Sequence, residues 1–257
     1  MWHFEERGQG RPLVLLHGIG MSSFAWSPVM DRLAQGRRVL AFDTAGFGQT
    51  PPLPAGVAPT VPNLVRALRE TLDAMGVHGP VDVAGNSMGG WMALEIATQG
   101  WARSVVAISP AGLWRGSPSP LVHRLFQVMR AATRASPGGV RLALKSAVMR
   151  ELLLSMPISF GSRIMSADDA YRAAIEFAQA PGFDATVANA GAFEGGRTIT
   201  CPVVVAFGTR DWLLTASAQH RDHLPLHTRW VRPARWGHVP MWVDPEGVAQ
   251  LILQGTA

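Results

Sequence analysis

Three side chains spaced along this 257-residue chain have the types needed for a nucleophile and its proton-handling partners. The first is the serine of Gly85-Asn86-Ser87-Met88-Gly89-Gly90, which has the spacing G-x-S-x-G. An apolar run, Val81-Asp82-Val83-Ala84, precedes it, and a helical pattern beginning near Trp91 follows. A strand, a sharp turn and a helix in that order present the turn's hydroxyl at the tip of a sheet, and the glycines let the turn tighten and the helix pack close. The helix N-terminus beneath favours negative charge, as on an oxyanion. A hydroxyl is a weak nucleophile unless a base takes its proton and an acid orients that base. The candidate acid is Asp211, in Gly208-Thr209-Arg210-Asp211 at the end of the apolar run Val203–Phe207. The candidate base is His238, in Trp236-Gly237-His238-Val239-Pro240.

These residues need a scaffold, and the apolar pattern supplies one. Short apolar runs lie at Pro12–Leu16, Arg38–Phe42, Val81–Ala84, Ser104–Ile108, Val203–Phe207 and Thr228–Val231. They are continuous rather than alternating, which suits strands buried on both faces of a parallel sheet. Helical spacing of apolar residues marks Val61–Met75 and Gly90–Thr98. Strand and helix alternate, so the expected class is α/β, a mostly parallel central sheet flanked by helices. Ser87, Asp211 and His238 all fall after strands, at the edge where open α/β sheets build their sites. Between Leu113 and Arg197 the strands stop. Helical segments at Leu121–Arg134, Val140–Leu154 and Ala167–Ala178 take over, punctuated by Pro-Gly breakers. This stretch is too apolar to float free and is expected to be an inserted cap over residues 113–197, with residues 1–112 and 198–257 forming the core.

Over nearly its whole length the chain resembles the α/β-hydrolase family. The matching segments are Leu15-Leu16-His17-Gly18-Ile19-Gly20, Phe42-Asp43-Thr44-Ala45-Gly46-Phe47-Gly48-Gln49-Thr50, Gly85–Gly90, Phe207–Asp211 and Gly237-His238. The resemblance implies the α/β-hydrolase fold with a helical cap, and the chain order serine, acid, histidine. It also implies an oxyanion hole made by the backbone N–H groups of Ile19 and Met88. The activity it implies is cleavage of an ester, thioester or lactone of a small or medium apolar substrate through an acyl-enzyme on Ser87, without metal or other cofactor. The elbow is also similar to that of carbon–carbon bond hydrolases acting on ring-fission products. Those enzymes usually carry Trp after the base, where this chain has Val239. Cofactor-free haloperoxidases, or perhydrolases, share the pattern as well, and a non-catalytic ligand-binding member of the fold is a further alternative. An intact set of Ser87, Asp211 and His238 weighs against that last reading.

Other polar residues have plainer roles. Asp43 precedes the nucleophile, the wrong order for this family, and is expected to brace its own glycine-rich turn. His17 is expected to shape the oxyanion loop. His220, His223 and His227 cluster in sequence, but Pro225 breaks any helix that would align them, and no metal site is expected. The cap residues Met129, Met149, Met156 and Met165, with Trp26, Trp212 and Trp242, are candidates for an acyl pocket; Trp212 and Trp242 flank the acid and the base.

Composition bounds the rest. A hydrophobic share of 47% against 16% charged residues fits a globular chain with a sizeable core. The net charge of +5 comes almost wholly from scattered arginines, and no basic block reads as a nucleic-acid arm. A single cysteine, Cys201, excludes an intrachain disulfide and is expected to be a structural thiol. The N-terminal stretch is acidic where a signal peptide would be apolar, and no run of apolar residues is long enough to span a bilayer. The expectation is a cytoplasmic protein with a small-molecule substrate and no nucleic-acid or membrane partner. Its oligomeric state is open.

Overall fold

Each apolar run can bury both of its faces only if helices cover the sheet on both sides, and that is how the chain folds. The computed structural model describes residues 1–115, 120–155 and 161–257. Its strands are β1 (Phe4–Arg7), β2 (Pro12–Leu16), β3 (Arg38–Phe42), β4 (Val81–Asn86), β5 (Ala102–Ile108), β6 (Val203–Ala206) and β7 (Arg229–Val231). They form one seven-stranded sheet in the order β1-β3-β2-β4-β5-β6-β7. All neighbours are parallel except β1 and β3. β1 is absent from the apolar pattern because Glu5, Glu6 and Arg7 dominate it. Charge is what an exposed edge strand carries to discourage further pairing.

The helices of the core are α1 (Ser27–Leu33), α2 (Val61–Ala74) and α3 (Met88–Thr98), and a set of five follows β5. These are α4 (Pro120–Ala135), α5 (Pro137–Leu144), α6 (Ala147–Ser155), α7 (Ala167–Gln179) and α8 (Phe183–Ala188); α9 (Pro245–Gly255) closes the chain. Alternation along β2 and β3 splits the core in two. Val14, Leu16, Leu40 and Phe42 pack with α2 and α3. Leu13, Leu15, Val39 and Ala41 pack with α1 and α9. A sheet apolar on both faces is therefore filled from both sides, as the unbroken runs require.

One predicted helix, Val140–Leu154, is two. α5 ends at Leu144, and Ser146 starts α6: its carbonyl accepts from Arg150 N at 2.9 Å and its hydroxyl from Met149 N at 3.4 Å. Ser at such a position satisfies the free N–H groups of a new helix and so breaks the old one.

Parallel register aligns the C-terminal ends of the strands. Leu16 lies opposite Phe42 and Gly85, Asn86 opposite Ile108, and Ile108 opposite Ala206. The strand order reverses between β2 and β4, so the loops after these two strands diverge around a crevice. At the other end, β4 is anchored by a buried charge. Asp82 pairs with Arg37, lies 2.7 Å from Arg11 Nε, and accepts from Ser104 Oγ at 2.6 Å. Arg37 also donates to Thr256 O (3.1 Å) and Oγ1 (3.0 Å), tying the sheet's base to the end of α9. Burial lowers the Arg37 pKa, and the nearby Asp82 charge opposes that shift. Removing the carboxylate strands a buried guanidinium, so Asp82→Ala should lose about 3–5 kcal/mol of stability in urea titration. A loss under about 1 kcal/mol would mean that the pair is not what anchors β4.

Candidate active site

Ser87 stands between β4 and α3 with φ 55° and ψ −116°, a backbone region that non-glycine residues rarely occupy. Several contacts hold it there. Its N–H donates to Ile108 O at 2.9 Å, and its carbonyl accepts from Trp91 N and Ala111 N, both at 3.0 Å. The two glycines make the approach possible. A Cβ at Gly85 would collide with the Gly89 carbonyl, and one at Gly89 with the carbonyl of Leu16. The helix therefore starts at Met88, earlier than the apolar pattern suggests, and Ser87 is nearly buried at its head.

Asp211 and His238 meet across their loops. His238 Nδ1 lies 3.0 Å from Asp211 Oδ2, and both side chains are buried. Asp211 Oδ1 accepts from Leu213 N at 3.1 Å and Leu214 N at 2.9 Å. Burial alone would raise the Asp211 pKa. The His238 charge and these hydrogen bonds outweigh it and hold the carboxyl below the usual carboxylate range. The backbones are stitched as well, Arg210 N donating to Trp236 O at 2.9 Å. A Cβ at Gly208 would strike that same Trp236 carbonyl, so the close approach needs glycine there.

Asn86 joins this pair to the Ser87 turn. Its Nδ2 donates to His238 O at 2.8 Å and to Ile108 O at 3.2 Å. Sequence reasoning assigned Asn86 no part. The available signal was an amide at the tip of a buried strand, where burial obliges it to find partners. Neither Ser87 Oγ nor His238 Nε2 hydrogen-bonds another described residue, and both side chains line one cavity of about 810 Å³. Ile19 and Met88 line it too, and their backbone N–H groups donate to no described residue.

His17 and Asp43 stand apart from this arrangement. Thr44 N donates to His17 Nε2 at 2.9 Å, so Nδ1 carries the proton that meets Gly18 O at 2.7 Å. Burial pushes the His17 pKa down, against the pull of the Gly18 carbonyl and of Asp43 and Glu176. Asp43 accepts from Ser23 N (2.6 Å) and Gln49 N (2.8 Å) and faces His3 Nδ1 (2.9 Å). Burial would raise its pKa as well, but these donors hold it low. It braces its turn and does not contact His238.

The cavity wall is predominantly apolar and comes largely from the helices after β5. Trp212 and Trp242 line it, as do Met129 and Met165. Two expected wall residues do not. Trp26 is fully buried beneath the sheet with α1 and α9, where its ring fills the core. Met149 is half-buried on α6 and is not among the residues lining the cavity. Met156 lies outside the described residues. Cys201 is only part-buried, and burial raises its thiol pKa. Among the described residues no group of three or more His, Cys, Asp or Glu side chains is placed to hold a metal ion, and no helix is long and apolar enough to cross a membrane.

The sequence matches the profile of the Alpha/beta hydrolase family over residues 13–251. The chain belongs to that family. The chain spans between 32% and 38% of the length of four curated relatives it matches. One is the 2-hydroxy-6-oxo-2,4-heptadienoate hydrolase of Pseudomonas putida, 42% identical over 93 residues, or 35% of this chain and 33% of the relative. A shorter match joins the family member to the pimeloyl-[acyl-carrier protein] methyl ester esterase of Legionella pneumophila, 43% identical over 49 residues, 19% of this chain and 20% of the relative. In fold the chain is similar to the enol-lactonase of Burkholderia xenovorans LB400, with a TM-score of 0.75 at 16% identity, covering 98% of this chain and 95% of that one.

The depressed Asp211 pKa makes a pH prediction for this family member. Stability contributed by a carboxyl held low is fully present above its unfolded pKa, about 3.9, and is lost as pH falls through the lower folded value. The Asp211→Asn variant should therefore be less stable than wild type by about 1–3 kcal/mol above about pH 5, with the gap narrowing below about pH 4. Urea titrations across that range check this; a gap that stays constant into acid would show that the carboxylate's charge contributes nothing.

Proposed function

We propose that this protein is a serine hydrolase that cleaves an ester-type bond, whether ester, thioester or lactone, of a small or medium apolar substrate. The observation that carries the reading is His238, paired with buried Asp211 at 3.0 Å and lining one cavity with a serine held in a strained turn. His238 Nε2 takes the Ser87 proton as Oγ attacks the carbonyl carbon. Asp211 holds the ring so that Nδ1 keeps its proton, and it stabilises the imidazolium that forms. The tetrahedral oxyanion is met by the Ile19 and Met88 N–H groups, donors worth a few kcal/mol each (about 3–4) where charge develops. The leaving group departs with the proton from His238. Water then attacks the acyl-Ser87, gives its proton to His238, and Ser87 recovers it as the acid product leaves.

The apolar wall supports an apolar acyl portion, since a cavity with few polar groups rewards buried hydrocarbon and penalises unpaired charge. That same wall weighs against the second reading, carbon–carbon bond cleavage of a charged ring-fission product. The second reading retains support from the Gly85–Gly90 elbow and from the 42% identity to the heptadienoate hydrolase.

A p-nitrophenyl ester series from acetate to decanoate, assayed with wild type and Ser87→Ala, tests the reading. Wild type should turn over, and the variant should fall by about 10⁴-fold or more. A fluorophosphonate should label wild type and not Ser87→Ala. No turnover of any ester, with turnover of a ring-fission dienoate, would transfer the protein to the second reading. Within the series, Met129→Ala should move the preferred acyl chain to greater length because it enlarges the cavity, whereas Met149→Ala should leave the profile unchanged. Identical profiles for both would remove Met129 from the acyl subsite.

A further inference from the structure

Among the described residues eleven large apolar side chains are exposed, and eight of them lie between residues 121 and 164. They are not scattered. On α4, Leu121, Leu125 and Val128 recur at i, i+4 and i+7, so they form one stripe beside the face that buries Phe126 and Met129. On α6, Val148 and Leu152 recur at i, i+4, with Leu153 beside them. Soluble proteins seldom leave such stripes to water, and contiguous apolar patches mark binding surfaces.

Two further observations say what the partner is. First, both stripes run into the active-site cavity: Val128 of α4 and Leu153 of α6 are exposed and also line it, 60% and 40% accessible respectively. The apolar patch is thus continuous with the cavity's wall. Second, the surrounding charge has one sign. Residues 120–155 hold six cations, of which Arg130 is buried, and a single carboxylate, Glu151, whose oxygens accept from Gly161 N and Arg163 N. Arg124 and Lys145 are exposed and pair with no described carboxylate. The acidic groups facing this stretch from adjoining helices are Asp184 of α8, 3.8 Å from Arg130, and Asp168 of α7, 3.9 Å from Arg141. Leucine and valine stripes edged by Arg and Lys are the pattern of helices that lie in a membrane interface, apolar face among acyl chains and cations at anionic headgroups.

We propose that the α4–α6 face docks on an anionic lipid surface, with the cavity opening toward the bilayer. This replaces the expectation from sequence that the protein has no membrane partner. It does not depend on the serine-hydrolase reading, since docking requires no turnover. It assigns the exposed stripes a ligand of stated chemistry, anionic phospholipid, and gives an apolar substrate a path that avoids water.

The test is co-sedimentation of the full chain with vesicles of phosphatidylcholine alone and of phosphatidylcholine with an equal part of phosphatidylglycerol. Wild type should bind the anionic vesicles, and added salt should weaken that binding. Leu121→Ser with Leu125→Ser, Val148→Ser and Leu152→Ser, none of them a cavity residue, should lower the affinity at least about tenfold. Arg124→Glu with Lys145→Glu should lower it by about tenfold on anionic vesicles only. Near-UV circular dichroism identical to wild type shows that each variant is folded; a variant that fails it is replaced by Leu121→Ser and Leu125→Ser alone. The proposal is overturned if wild type binds neither vesicle, or if binding is equal on both and indifferent to the variants. Self-association in sedimentation velocity that the apolar variant abolishes, without vesicle binding, would assign the face to a second copy of the chain.

Discussion

The turn at Ser87 is the constraint on which the rest of the site depends. A non-glycine residue at φ 55° and ψ −116° costs about 1–3 kcal/mol and persists only where its surroundings over-determine it. Here they do. Three backbone hydrogen bonds fix Ser87, and each of its partners comes from an element whose position is fixed for other reasons: Ile108 by the sheet, Trp91 by α3, Ala111 by the chain leaving β5. The helix can sit this close only because Gly85 and Gly89 lack side chains. Relaxing the turn would move the hydroxyl away from the cavity and the helix away from β2 together.

Electrostatics divides the carboxylates by what each touches. Asp43 and Asp211 are both buried, follow a strand and have lowered pKa values. Asp43 spends its oxygens on backbone N–H groups of its own turn and of Ser23 and on the His3 ring, which is remote from Ser87, so it stabilises a loop. Asp211 keeps one oxygen for backbone and gives the other to His238. The same charge, with different geometry, makes one a brace and the other the partner of a ring that lines the cavity.

Much of this was legible in the residues. Pro12–Leu16 and Arg38–Phe42 have the bounds that their continuous apolar runs predict, because burial on both faces leaves a strand no other pattern. The positions of Ser87, Asp211 and His238 at one edge followed from the loops after such strands. What could not be read depends on contacts between distant segments. β1 is recognised only by its pairing with β3, since its own side chains are charged. Trp26 and Met149 have the size and apolarity of pocket residues, and only packing turns the first into the core and the second off the cavity. The break between α5 and α6 rests on one serine whose capping role needs the helix to stop there. Asn86 shows the same limit, since its partner His238 O is 152 residues away in the chain.

The stitching of the Asp211 and His238 loops has a mechanical consequence. Arg210 N to Trp236 O and Asp211 to His238 make the two loops move as one body, and Asn86 is the pivot that fastens this body to β4. The Asp211–His238 separation is then a stiff coordinate, indifferent to what fills the cavity. The soft coordinate is the gap between imidazole and serine hydroxyl, which no hydrogen bond to a described residue spans. Occupancy can tune that gap alone, so a ligand acts on it as a shim acts on a hinge, closing a single clearance without bending either leaf.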